Sequence, residues 1–113
     1  MHIVLYDDLL PRRLLYAHHI RREHGVEAAA VDSVEQLRDT ISGVDVLVLS
    51  FGGDARIKRL ILDSMRHMRI QCPVLVIDSE VYTESDYAGL QVFAFFHRPS
   101  VLVAEVFAGL RKI

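Results

Sequence analysis

The sequence predicts a single α/β domain in which helices cover both faces of a parallel β-sheet. Three observations predict it. Five short apolar runs recur along 113 residues. A segment of helical character follows each run. The third run, Val44 to Leu49, is near-continuously apolar and β-branched, as expected of a strand buried on both faces. Strands and helices that alternate at this length pair into a parallel sheet.

Each element has its own warrant. Ile3 to Tyr6 reads as the first strand, and Pro11 fits the first turn of the helix after it, where a missing N–H costs nothing. Leu10, Leu14, Ala17 and Ile20 recur at helical spacing and form the expected inner stripe, with Gly25 as the cap. Val26 to Val31 is the second strand. Ser33 and Gln36 are spaced as a capping box ahead of Val34, Leu37 and Ile41. After Val44 to Leu49, Gly52-Gly53 breaks the chain. Ile57, Leu60, Ile61, Ser64, Met65 and Met68 then share a helical face, and Lys58, Arg59, Arg66 and Arg69 read as a solvated basic face. Pro73 opens a fourth strand, Val74 to Ile77. Thr83 to Asp86 reads as the start of a short polar helix ending near Gly89. Val92 to Phe96 is the fifth strand, and Pro99 stops it. A last helix from Ser100 carries Val103, Val106, Phe107 and Leu110.

Five β-α units with right-handed crossovers favour a flavodoxin-like (βα)5 three-layer sandwich, strand order 2-1-3-4-5, over residues 1–113. Composition agrees: 51% hydrophobic and 25% charged residues exclude a disordered tail, a collagen-like chain or a disulfide scaffold. A net charge of −2 gives no concentrated basic excess for nucleic acid. One cysteine, Cys72, fits a reducing, cytoplasmic setting. No apolar run approaches the ~20 residues that span a bilayer. The N-terminus is too short and too acidic for a signal peptide.

In such a sheet, ligands gather at the carboxyl ends of the strands. Those ends carry Asp7-Asp8, Ser50, Asp78-Ser79 and His97-Arg98-Pro99. Adjacent carboxylates call for a cation, either Mg²⁺ with its oxygen ligands or the fork of an arginine such as Arg98. With these residues in place, the chain resembles the receiver domain of two-component response regulators along its whole length. Ile3 to Asp8 looks like the family's first strand and Mg²⁺-binding acidic pair. Val44 to Leu49 resembles the strand before the phosphate-accepting aspartate, and Pro73 to Ile77 the fourth strand. Phe95 to Pro99 resembles the strand that ends in Lys-Pro.

The departures carry the expectation. The acceptor position holds Ser50, the switch hydroxyl position Asp78, the lysine position Arg98, and the switch aromatic position Phe95; Asp7, Asp8 and Pro99 match. Aspartyl phosphate needs a carboxylate nucleophile, so Ser50 cannot form it. Asp78 would repel a phosphoryl group. The resemblance therefore implies a pseudo-receiver locked in one state, with Arg98 in a permanent ion pair with Asp78 or Asp8. No cofactor is required, and Mg²⁺ on Asp7 and Asp8 stands beside a plain helix-capping role for the same pair.

The strand ends suggest other chemistries as well. Ser50, Asp78 and His97 could form a nucleophilic triad, but Val48 occupies the first glycine of G-x-S-x-G, and alternation turns His97 away from Arg98. An enzyme or ligand binder using the pocket of Asp7, Asp8, Ser50 and Asp78 is the alternative function. Gly52-Gly53 lacks any dinucleotide or Walker pattern around it. His18, His19, Glu23 and His24 have no second cluster to complete a metal site. On the last helix, Val101, Ala104 and Ala108 form a second apolar strip beside the core stripe. The resemblance implies a homodimer or protein partner there, on the face made by the fourth helix, fifth strand and fifth helix.

Overall fold

A computed structural model describes residues 1–98, 107, 108 and 110. Five parallel strands, β1 (Ile3–Tyr6), β2 (Ala29–Val31), β3 (Val46–Phe51), β4 (Pro73–Asp78) and β5 (Gln91–His97), form one sheet in the order β2-β1-β3-β4-β5. This is the expected flavodoxin-like topology. Side chains alternate across the sheet and build two cores. Val4, Tyr6, Leu47, Leu49, Phe51, Val74 and Val76 meet α2 (Val34–Thr40) and α3 (Ala55–His67) on one face. Ile3, Leu5, Val46, Val48, Leu75 and Ile77 meet α1 (Leu10–His24), Phe107 and Leu110 on the other. Burial of β1, β3 and β4 on both faces explains their unbroken apolar runs.

The punctuation works as the sequence implies. Gly25 ends α1 in the left-handed region at φ 69°, donating its N–H to Arg21 O. Ser33 Oγ caps α2 through Gln36 N at 3.2 Å. Gln36 Oε1 reaches back to Asp32 N at 3.0 Å. An unforeseen cap, Asp54, starts α3 by accepting from Arg56 N and Ile57 N.

Four expectations need correction. β2 is confined to Ala29–Val31, since Val26 and Ala28 pack on the core without joining the ladder. Leu10 and Leu14 lie outside the stripe of α1: Leu14 is 61% exposed, while Tyr16 and Ile20 are buried. Leu60 of α3 is exposed, whereas Lys58, expected on the solvated face, is 6% exposed. Between β4 and β5 there is no helix. Thr83 to Leu90 turns through i→i+3 bonds only, Asp86 N to Thr83 O, Tyr87 N to Glu84 O and Leu90 N to Tyr87 O. Thr, Ser and Asp are weak formers of helix interiors, and one short segment cannot repay helix nucleation; here the Thr83 hydroxyl donates to the Asp86 carboxylate. Arg66 of α3 ties the turn down, donating to Asp86 O at 2.8 Å.

β5 carries a bulge. Val74 faces Val92 and Leu75 faces Ala94, so Phe93 is the extra residue and stands exposed at the sheet edge.

Candidate functional site

The carboxyl ends of β1, β3 and β4 bury three polar side chains completely: Asp7, Ser50 and Asp78. The two-residue period of the strands decides which of them can meet. Asp7 continues the parity of Ile3 and Leu5, and Ser50 that of Val46 and Val48. Both therefore point to the α1 face. Asp78 continues the parity of Val74 and Val76 and points to the α3 face.

On the α1 face the contacts form a chain. Arg12 grips Asp7 with both arms, Nε to Oδ2 at 2.6 Å and Nη2 to Oδ1 at 2.7 Å. Leu9 N donates to Oδ1 at 3.0 Å and Ser50 Oγ donates to Oδ2 at 2.7 Å. Four donors fill the roughly four acceptor sites of a carboxylate. Ser50 Oγ in turn accepts from Arg98 Nη2 at 2.7 Å. Arg98 Nη1 also donates to Phe51 O at 2.6 Å and Ser79 Oγ at 3.3 Å. The hydrogen bond from Arg12, with the charge of Asp7, raises the Arg12 guanidinium above its usual range, burial opposing it.

On the α3 face Asp78 Oδ2 lies 2.6 Å from Lys58 Nζ and accepts from Tyr87 Oη at 2.8 Å, while Oδ1 accepts from Glu80 N at 3.0 Å. Lys58 also stands 3.5 Å from Asp86, 3.7 Å from Glu80, and 5.3 Å from the centre of the Tyr87 ring. Burial alone would lower the Lys58 ammonium. The contact with Asp78 and the charges of Asp78, Asp86 and Glu80 outweigh it, and the net shift is upward. The Tyr87 phenol is raised, first by burial and then by Asp78. Phe95 is half-buried in an aromatic cluster, edge-on to Tyr82 at 5.2 Å and to Tyr87 at 5.8 Å.

The sequence-predicted residues thus separate. Asp7, Ser50 and Arg98 come together through side chains. Asp78 joins them only through its backbone, Arg98 N donating to Asp78 O at 2.8 Å. Arg98 holds neither Asp78 nor Asp8, contrary to expectation; Lys58 and Arg12 supply those charges. Asp8 is exposed and 3.5 Å from Arg12. His97 is exposed, and its Nε2 lies 3.1 Å from Ser79 O, while the Ser50 hydroxyl bonds Asp7 and Arg98 instead. Pro99, Val101 and Ala104 lie outside the described residues, and Ala108 is exposed.

The acid pair does not fit Mg²⁺ as the site stands. Every acceptor position of Asp7 is taken by a protein donor, and among the described residues no group of three or more His, Cys, Asp or Glu is arranged around a common point.

Arg12, Lys58 and Tyr87 were not foreseen. Arg12 had a signal: a cation in the first turn of a helix opposes the dipole, so it needs a local acid. Lys58 had another, since positions 58, 61, 62 and 65 form one helical stripe whose other members are apolar and buried.

No protein-family model and no curated protein matches the chain. Solved structures do match it. The N-terminal domain of an uncharacterized protein from Wolinella succinogenes superposes with a TM-score of 0.76 at 16% identity, covering 99% of this chain and 92% of that one. An orphan response regulator of H. pylori gives 0.71 at 15% identity over 99% and 94%. A DNA-binding response regulator of the LuxR family from Staphylococcus aureus gives 0.72 at 13% identity over 98% and 96%. The fold is therefore that of response-regulator receiver domains. At these identities the likeness carries the fold alone.

Proposed function

We propose that this is a cytoplasmic receiver-like domain of two-component-type signalling, non-catalytic, which acts by docking to protein and does not accept phosphate. One observation carries the reading: Ser50 Oγ, at the acceptor position, is buried and donates to Asp7 while it accepts from Arg98. Its proton and one of its lone pairs are engaged. The contacts that a phosphoryl group would otherwise make are already made within the chain. Asp78 adds a buried carboxylate neutralised by Lys58. Among the described residues no helix is long and apolar enough to cross a membrane.

The test is intact-mass measurement after incubation with acetyl phosphate or phosphoramidate and Mg²⁺. The expected mass is unchanged. A stoichiometric phosphoryl gain that vanishes in Asp7→Ala defeats the proposal.

The docking face proposed is that of the last helix, with Val101, Ala104 and Ala108; the exposure of Ala108 is consistent with it. A homodimer by light scattering, dissociated by Ala108→Glu, is the expected result for self-association. A monomer at high concentration removes the homodimer.

A further inference from the structure

We infer that copies of this chain associate head to tail, the leucine-and-arginine face of α1 on one copy seating on the aromatic, acidic margin of β5 on the next. The exposed apolar side chains are not scattered. Among the described residues, apart from Met1 and Leu60, every large apolar side chain that is exposed falls in one of two groups: Leu9, Leu10, Leu14 and Leu15, or Val81, Tyr82 and Phe93. A single exposed leucine is ordinary, whereas grouped apolar side chains mark contact sites.

The two groups sit beside opposite edges of the sheet. Leu10, Leu14, His18 and Arg21 follow one another along the outer side of α1. Leu14, Ala17, His18 and Arg21 line a hollow of about 310 Å³ with Glu27 and Ala28, next to the edge strand β2. At the other edge, Tyr82, Val92, Phe93, Ala94 and Phe95 line a hollow of about 180 Å³ on β5. Phe93 is the bulged residue, and Tyr82 is held by stacking on Tyr87, ring centres 5.5 Å apart. The exposed Tyr82 ring is thus ordered before a partner arrives, which lowers the entropy lost on contact.

Charge selects the occupant. From Leu10 to Arg22 the chain holds four arginines and no acid. Arg12 is spent on Asp7, Arg21 lies 3.6 Å from Glu27, and Arg22 is exposed. From Ser79 to Phe96 the chain holds Glu80, Glu84 and Asp86 and no Lys or Arg. Lys58 reaches Glu80 at 3.7 Å and Asp86 at 3.5 Å, while Glu84 is exposed and outside that cluster. Either face set against its own copy brings like charges together across an apolar contact, which is costly. The α1 face set against β5 brings opposite charges together. Such a contact is heterologous, repeating from copy to copy rather than closing as a two-fold pair. It is made by side chains, so it does not extend the ladder of β5. A few half-exposed side chains per face cover less than the about 800 Å² per partner of a standard interface, so the association is weak. It uses none of Val101, Ala104 and Ala108, and so stands apart from the docking face proposed above.

The test uses the full chain carrying Ala108→Glu, which removes pairing through the last helix. In sedimentation equilibrium at low salt, its weight-average mass is expected to rise with concentration up to about 1 mM. The association constant is expected to fall about tenfold in about 0.5 M NaCl. A monomer throughout overturns the inference, leaves the two faces to other partners, and leaves the proposed function standing. Association indifferent to salt also overturns it. Two neutral variants then separate the faces. Leu10→Gln with Leu14→Gln blunts the head, and Tyr82→Ser with Phe93→Thr blunts the tail. Each alone is expected to stay monomeric. Mixed, they are expected to form a one-to-one complex, since each keeps the face the other lacks. With the head variant ¹⁵N-labelled, signals of residues 80–84 and 92–95 are expected to shift, and those of residues 10–21 to stay. A mixture that remains monomeric, or either variant associating alone, overturns the inference. Should the tail variant not fold, Glu84→Lys takes its place. It is expected to weaken self-association about fivefold, and an unchanged constant overturns the inference.

Discussion

Asp7 and Asp78 flank β3 on opposite faces of the sheet, and both are buried. Each is neutralised by a cation from a helix, but by different chemistry. Asp7 receives the planar fork of Arg12, and its four acceptor positions are filled. Asp78 receives the point charge of Lys58, with a phenol and one backbone N–H completing the set. The fork fixes both distance and angle, while the ammonium fixes only charge. The Asp7 side is thus the more specific, and the Asp78 side the more deeply desolvated: the side chain of Lys58 is 8% exposed, that of Arg12 16%.

This contrast orders the expected effects. Lys58→Ala leaves Asp78 buried without a counter-charge and should cost about 3–5 kcal/mol in denaturant unfolding, more than Arg12→Ala. A larger loss for Arg12→Ala would break the comparison. Replacing the pair together, as Lys58→Met with Asp78→Leu, should recover most of that loss, because an apolar pair needs no desolvation of charge. Arg12→Lys keeps the charge and loses the fork. It should cost about 1–2 kcal/mol, so that an unchanged midpoint would mean charge alone matters at Asp7.

The smallest effect is a pH dependence. The Lys58 and Tyr87 values are both raised in the folded state. The folded protein therefore holds its protons more tightly, and stability is complete below about pH 10, where the unfolded groups begin to titrate. It falls as pH rises beyond that point. Tyr87→Phe should lower stability by about 1 kcal/mol near neutrality and flatten the alkaline decline of Tm. An equally steep decline in Tyr87→Phe would remove Tyr87 from the account.

Much of the fold was legible because strands buried on both faces leave long apolar runs. β1, β3 and β4 announce themselves this way, and the strand order follows from the crossovers. The missing helix between β4 and β5 was not legible from Thr83 to Asp86, since residues that cap a helix also stabilise isolated turns. At the site, the alternation that separates His97 from Arg98 also separates Asp78 from Asp7 and Ser50; parity counted along β4 gives that division from sequence. What parity cannot supply is the cation. Arg12 and Lys58 reach their acids from helices, and their reach depends on how α1 and α3 sit on the sheet. Gly52 reads from sequence as a turn residue, whereas the closeness of the Arg12 guanidinium to it is a tertiary fact.

The outermost strand carries one last consequence. From Gln91 to Phe96, β5 has no charged residue, and among the described residues no strand pairs with its free side. Flat, uncharged ribbons of this kind invite backbone pairing between molecules. The irregularity at Phe93 interrupts the ladder of β5 with β4, and bulges of this kind bend a strand and raise its local twist. Breaks of this kind in an edge strand are among the devices by which proteins blunt such pairing, and here the break is a single inserted aromatic residue.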